Sequence, residues 1–202
     1  MNEHMNIRGI LLPAILAAGL LLGKGCSHDY KSNVLRLETY QWNFWPEQDA
    51  DPGADSLFAM GRSLQAYPHH EPSCGWEVLE RGNGKLVRIP AQSYAHFPAG
   101  ERSQVSWFHC RHTLPDLWQD HEITLSFEGV SHRAEVYLNE QLVGVHLGKR
   151  EPFTIDITPV VYYVRDNHLM IRVFDPDPDS CGITGTIHVI ASGVNEEGEP
   201  VK

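Results

Sequence analysis

From Trp107 onward the chain reads Trp107-Phe108, Leu114-Pro115-Asp116-Leu117-Trp118, Phe127-Glu128-Gly129-Val130, Ala134-Glu135-Val136-Tyr137-Leu138-Asn139, Val143-Gly144-Val145-His146-Leu147-Gly148, Pro152-Phe153-Thr154-Ile155-Asp156-Ile157-Thr158 and Asn167-His168-Leu169-Met170-Ile171-Arg172-Val173. In and around these segments apolar residues recur at every second position. Ile123, Leu125 and Phe127 alternate with Thr124, Ser126 and Glu128, and Ala134, Val136 and Leu138 with Glu135 and Tyr137. Phe153, Ile155 and Ile157 alternate with Thr154 and Asp156, and Leu169, Ile171, Val173, Ile187 and Val189 continue the rule. A period of two is that of a strand burying one face. No window past the N-terminal leader sustains helical spacing. Several short strands broken by Gly, Pro and Asn predict an all-β, two-sheet β-sandwich.

In their order and spacing, the segments from Trp107 to Pro176 resemble the N-terminal sugar-binding domain of family 2 glycoside hydrolases, the group of β-galactosidases, β-glucuronidases and β-mannosidases. The resemblance implies a jelly-roll sandwich of galactose-binding-like type. Ile89-Pro90 is similar to the short hydrophobic-Pro segment that precedes the first long strand in that family. The chain has 202 residues and ends at Lys202. A (β/α)₈ barrel typically needs about 250 residues, so the expectation is of this domain without the catalytic barrel. The resemblance places the family's acid/base and nucleophile glutamates on the barrel, and no position here matches their motifs.

Three places depart from the family pattern. The hairpin has Asn139-Glu140 where Asn-Gly is usual, which disfavours a strict type I′ turn. Lys149-Arg150-Glu151 stands where Gly and an aromatic residue are common before Pro-Phe. The Asp175-Pro176-Asp177-Pro178-Asp179-Ser180-Cys181-Gly182-Ile183 segment resembles the family's loop that faces the barrel, but lacks its usual Trp.

At the other end, Arg8 precedes an apolar run from Ile10 to Leu22 that closes with Gly23-Lys24-Gly25-Cys26. The run is short for a bilayer span of about 20 residues and reads as an export leader. Cys26 after a small residue resembles the lipobox of bacterial lipoproteins, although Gly23 stands where Leu is usual. The expected organisation is a signal peptide over 1–26 with Cys26 lipidated, a tether over 27–33, the sandwich over 34–194 and a polar tail over 195–202. The expected location is the bacterial cell envelope, with the membrane reached through the lipid. A formal net charge of -10 leaves no basic face for nucleic acid.

Val34 to Trp42 reads as the first strand, Pro46 to Asp55 as loop, and Leu57 to Leu64 as a short helical turn. If Cys26 carries lipid, Cys74, Cys110 and Cys181 remain, allowing at most one disulfide. Cys110 lies in a strand pattern as a buried thiol. Cys74 and Cys181 adjoin glycines in loop-like contexts and are the pair expected if one forms.

Glycoside hydrolysis needs two carboxyls about 5–9.5 Å apart across one bond. With 26 acidic residues such a distance arises by chance, so the acids read as surface and loop groups and no catalytic residue is assigned. His69-His70-Glu71 with Cys74 has metal-capable side chains but no second ligand pair at zinc spacing, and no metal is assigned. Asp175, Asp177 and Asp179 alternate as calcium ligands do. The intervening prolines and the absent EF-hand Gly and Glu leave structural calcium a minor alternative to no cofactor.

Sugars stack apolar C–H faces on aromatic rings and hydrogen-bond through hydroxyls. Trp45, Tyr94 and the Asp177/Asp179 loop are the sugar-binding candidates, while Trp107 and Trp118 are expected to pack the sandwich. The reading that results is an exported, lipid-anchored, non-catalytic carbohydrate-binding or accessory module. Its rivals are an adaptor docking onto a separately encoded glycosidase catalytic domain and a truncated glycosidase without activity.

Overall fold

The computed structural model describes residues 33–50 and 63–193. The leader with Cys26, nearly all of the tether, most of the Leu57 to Leu64 turn and the tail lie outside the described residues.

The strands are β1 (Val34–Arg36), β2 (Trp42–Pro46), β3 (Lys85–Val87), β4 (Ala91–Gln92), β5 (Val105–Thr113) and β6 (Ile123–Phe127). They continue as β7 (Arg133–Leu138), β8 (Gln141–Leu147), β9 (Phe153–Asp156), β10 (Asp166–Phe174), β11 (Gly182–Ile183) and β12 (Ile187–Ala191). A four-stranded sheet, β1-β12-β6-β9, faces a six-stranded sheet, β3-β2-β5-β10-β7-β8, and β11 pairs with β4. All these pairings are antiparallel. The chain passes repeatedly from one sheet to the other, which is how a jelly-roll sandwich closes over a single core.

That core follows the period of two. Leu125, Phe127, Ile155, Ile187 and Val189 from one sheet meet Phe44, Phe108, Val136, Leu169, Ile171 and Val173 from the other. Phe127 is 1% exposed and stacks on Phe153 with ring centroids 4.3 Å apart. Truncating a ring so placed typically costs about 3–5 kcal/mol.

The first strand is not continuous from Val34 to Trp42. A 3₁₀ turn at Leu37–Thr39 interrupts it and carries the chain from the four-stranded sheet into the six-stranded one. The buried Leu37 and the Trp42 Nε1 bond to its carbonyl, 3.0 Å, pin that crossing. Two short helices, α1 (Trp76–Glu80) and α2 (Ser93–His96), are too brief to show a helical period in the sequence.

The hairpin between β7 and β8 also differs from expectation. Asn139 and Glu140 both have positive φ, 53° and 66°, as a type I′ turn requires. The Asn139 amide offsets the strain by bonding outward. Its nitrogen donates to the Val160 carbonyl at 3.1 Å, and its oxygen accepts the His168 N–H at 3.0 Å.

No disulfide joins Cys74 to Cys181; both are free, as is Cys110. Cys181 is completely buried, with its sulfur 3.4 Å from the carbonyls of Gln104 and Val173. The adjacent glycine marks a close approach between strands rather than an exposed loop. Gly182 has φ 155°, and a Cβ there would run into the Ala91 carbonyl oxygen of β4.

The six-stranded sheet is buried on both faces along β5, β7 and β10, where the alternation implied one. Residues 67–82 cross its outer face as a strap. His70 N–H donates to the Tyr137 hydroxyl at 3.0 Å, and Leu79 is fully buried beside Trp107, Tyr137 and Met170. Trp118 packs in the central core as expected, but Trp107 belongs to this second cluster on the opposite face.

Candidate functional site

Sequence reasoning singled out four residues, and the structure separates them. Trp45 lies on β2 opposite Trp107 of β5. It is partly buried against the cluster under the strap, with Trp76 and Cys74 for company. Tyr94, in contrast, is 59% exposed on α2. The loop that carries Asp177 and Asp179 meets α2: the Tyr94 N–H donates to the Asp179 carbonyl at 3.0 Å, and the Ser93 N–H to that of Cys181 at 2.9 Å. Tyr94, Asp177 and Asp179 therefore share one corner, and Trp45 belongs elsewhere.

Arg102 organises this corner. Its guanidinium donates to Asp179 Oδ1 at 2.7 Å and to the Tyr94 carbonyl at 3.4 Å, while its Nε reaches the Phe97 carbonyl at 2.8 Å. Arg102 was not among the residues singled out, because it follows Phe97 after only an unremarkable turn, Pro98-Ala99-Gly100-Glu101. The prolines and aspartates of the loop fold it upon itself. Asp175 Oδ1 accepts the Asp177 N–H at 3.0 Å, Asp177 Oδ1 accepts that of Asp179 at 3.1 Å, and Asp177 Oδ2 accepts the Ser180 hydroxyl at 2.7 Å. The Ser180 hydroxyl, followed by the Asp179 N–H, holds the Asp177 carboxyl below the usual carboxylate range. These successive turns stabilise the carboxylates as loop-builders. Asp175 differs: it is 3% exposed, and its Oδ2 has no hydrogen-bond partner among the described residues. Among the described residues, no three His, Cys, Asp or Glu side chains converge so as to hold a metal ion.

The strap carries the other charged constellation. Glu135 accepts Arg172 Nη1 at 3.1 Å, the Tyr137 hydroxyl at 2.7 Å and His70 Nδ1 at 2.9 Å. Glu47 accepts Trp107 Nε1 at 2.8 Å and the Ser73 N–H at 2.7 Å. His69 turns away from His70 and places its Nε2 3.0 Å from the Glu140 carbonyl, so the adjacent histidines do not point at one ion. The two glutamates are structural anchors that hold the strap to the sheet.

Residues 88–196, more than half of the chain, match the family model for the sugar binding domain of glycosyl hydrolases family 2. A putative beta-glucuronidase of Formosa agariphila is 36% identical over 107 residues, 50% of this chain and 13% of that protein. Beta-galactosidase BoGH2A of Bacteroides ovatus is 26% identical over 165 residues, 71% of this chain and 19% of that one. Among solved structures, Ruminococcus gnavus beta-glucuronidase superposes with a TM-score of 0.55 at 17% identity, over 78% of this chain and 28% of that chain. The chain thus spans less than a fifth of the length of these curated relatives. The matched residues run from just after β3 past β12 and include β4 to β12, with strands of both sheets, the corner around Asp175 and the buried face of β10, and on them the chain belongs to glycosyl hydrolase family 2 through its sugar-binding domain.

Proposed function

We propose that this chain is an exported carbohydrate-binding or accessory module that recognises a glycan without breaking bonds itself. It would be held at the bacterial cell envelope through lipid on Cys26. The observation that carries the recognition half is the corner at α2. Tyr94, 59% exposed, is joined through its backbone to a guanidinium and carboxylate paired at 2.7 Å. Sugar recognition uses this combination, a ring face for C–H groups and planar charged groups for hydroxyls. The non-catalytic half rests on the buried glutamates. Glu47 and Glu135 are engaged by two and three donors, which leaves neither poised as an acid or nucleophile toward a glycosidic oxygen.

The test uses the full chain in detergent on a glycan array, beside assays with aryl β-galactoside, β-glucuronide and β-mannoside. The expected result is retention on one class of glycan with turnover equal to buffer. Turnover above buffer would overturn the non-catalytic half. Absence of any bound glycan would replace recognition with the adaptor reading, in which the surface docks a separate glycosidase domain.

A further inference from the structure

A second polar hollow lies on the outer face of the six-stranded sheet, where α1 ends over β2 and β5. Strand pairing builds its floor, because Asn43 and His109 are cross-strand partners and alternation turns both outward. At the end of α1, Gly82 takes φ +81°, and a Cβ there would sit 3.4 Å from both ends of the Asn43 amide. The positive φ, rather than want of room, is what favours glycine where the chain turns across Asn43. The hollow encloses about 610 Å³. Small-molecule sites typically enclose about 300–1,000 Å³.

Planar polar groups succeed one another along this floor. Asn43 Nδ2 lies 3.3 Å from His109 Nδ1, His109 Nε2 lies 3.1 Å from His168 Nδ1, and Glu80 Oε1 is 3.6 Å from the same His168 nitrogen. Burial, with His168 adding to it, lowers the His109 pKa to about 4 and keeps the ring neutral. Asn43 is 9% exposed, and its Oδ1 has no hydrogen-bond partner among the described residues. Reversing the amide would leave the nitrogen unpaired instead, so one end lacks a partner in either orientation. A buried amide end left unpaired costs about 1–3 kcal/mol, a cost this floor carries directly beneath the hollow.

We propose that this hollow is a second glycan site, taking one or two pyranose units, distinct from the corner at Tyr94. The inference rests on the glycan-recognition reading. His109 spends both ring nitrogens on Asn43 and His168 and so fixes the floor, while of the lining side chains Gln41 both donates and accepts, Glu80 accepts, and Arg81 and Arg111 donate. Hydroxyls, which also do both, match that set. Two guanidiniums beside one carboxylate suit a neutral or a uronic pyranose alike, whereas an apolar ligand would leave these polar groups desolvated and unmatched. Leu86, 58% exposed at the rim, offers an apolar contact for a C–H face.

The test measures methyl β-galactoside, methyl β-glucuronide and methyl β-mannoside against the full chain by saturation-transfer NMR and calorimetry. Wild type is compared with Glu80→Gln/Arg111→Gln and with Tyr94→Ala. The two residues changed in the hollow are 28% and 65% exposed in their side chains, so folding should survive. Loss of affinity by about tenfold or more in the hollow variant, with a binding step left in Tyr94→Ala, is the expected result. Binding unchanged in the hollow variant and abolished by Tyr94→Ala overturns the second site while leaving glycan recognition standing. No saturation transfer from any of the three glycosides to wild type at about 10 mM overturns both.

Discussion

Arg172 and Glu135 face each other across β10 and β7 with 3.1 Å between Nη1 and Oε1, on side chains only 5% and 3% exposed. An ion pair on the outer face of a sheet would ordinarily be solvated. Here the strap covers it, and His70 and Tyr137 complete the carboxylate's bonds. The pair thus fastens a loop segment to the sheet as well as one strand to the next.

That placement makes removal of one partner costly. Glu135→Gln leaves the Arg172 charge buried without its carboxylate and should destabilise the fold by about 3–5 kcal/mol. Glu135→Gln combined with Arg172→Met should cost less than the sum of the single changes. Denaturant unfolding of the four proteins in a double-mutant cycle measures the difference; additive costs would mean the two charges do not interact.

Acid should weaken the fold through two histidines. His109 and His112 both have pKa values lowered to about 4, chiefly by burial, with His168 adding repulsion to each. A group harder to protonate when folded than unfolded favours the folded state above its unfolded pKa. That contribution is complete above about pH 6.5 and is lost as pH falls toward 4, to the extent of about 3 kcal/mol for each ring. Unfolding midpoints at about pH 7.5, 5.5 and 4 should therefore fall, and His112→Leu should flatten the decline. An equal decline in that variant would assign the acid sensitivity to other groups.

The chemistry of the thiols offers a separate check. Cys181 is fully buried, with its pKa pushed up to about 12, chiefly by burial. Cys110 is also fully buried and shifted upward, whereas Cys74 is only partly buried. Of these three, Cys74 should react with a thiol reagent in the native protein, and all three should react in denaturant without a reductant. A mass showing two thiols missing before reduction would restore the disulfide.

The period of two disclosed the central core, because β6, β9 and β12 each bury one face and keep Thr124, Ser126, Thr154, Asp156, His188 and Ile190 on the other. Burial of the opposite face of the larger sheet was not legible. Glu135, Tyr137 and Arg172 alternate with apolar residues just as solvent-facing groups do, and nothing local tells that His70, 65 residues before Glu135, will cover them. The same strap turns Trp45 from an available ring into a packed one. Asn43 and His109 are likewise 66 residues apart and meet only through the pairing of β2 with β5. Tyr94 and Asp179 were named by residue type alone, and that they share a corner was not legible, because only the fold brings α2 against the Asp175 to Gly182 loop. Arg102, which joins them, gave no local signal.

The corner itself yields the last prediction. Arg102 is 17% exposed in its side chain and links Phe97, Tyr94 and Asp179, so its loss should free both the α2 turn and the Asp175 to Gly182 loop. Arg102→Ala should cost about 1–2 kcal/mol of stability, more than a fully exposed pair, because two backbone carbonyls lose a donor as well. It should also weaken whichever glycan the corner holds. Tyr94→Phe keeps the ring and should bind within about twofold of wild type, whereas Tyr94→Ala removes the stacking face and should lose about tenfold. With one ring and a few hydrogen bonds, wild-type dissociation constants are expected in the millimolar to high-micromolar range, within reach of calorimetry. Asp177→Asn should matter less than Asp179→Asn, since Asp177 bonds its own loop while Asp179 bonds Arg102. Should Tyr94→Ala and Arg102→Ala both bind as wild type does, the corner is a structural joint and the glycan contacts lie elsewhere on the sandwich.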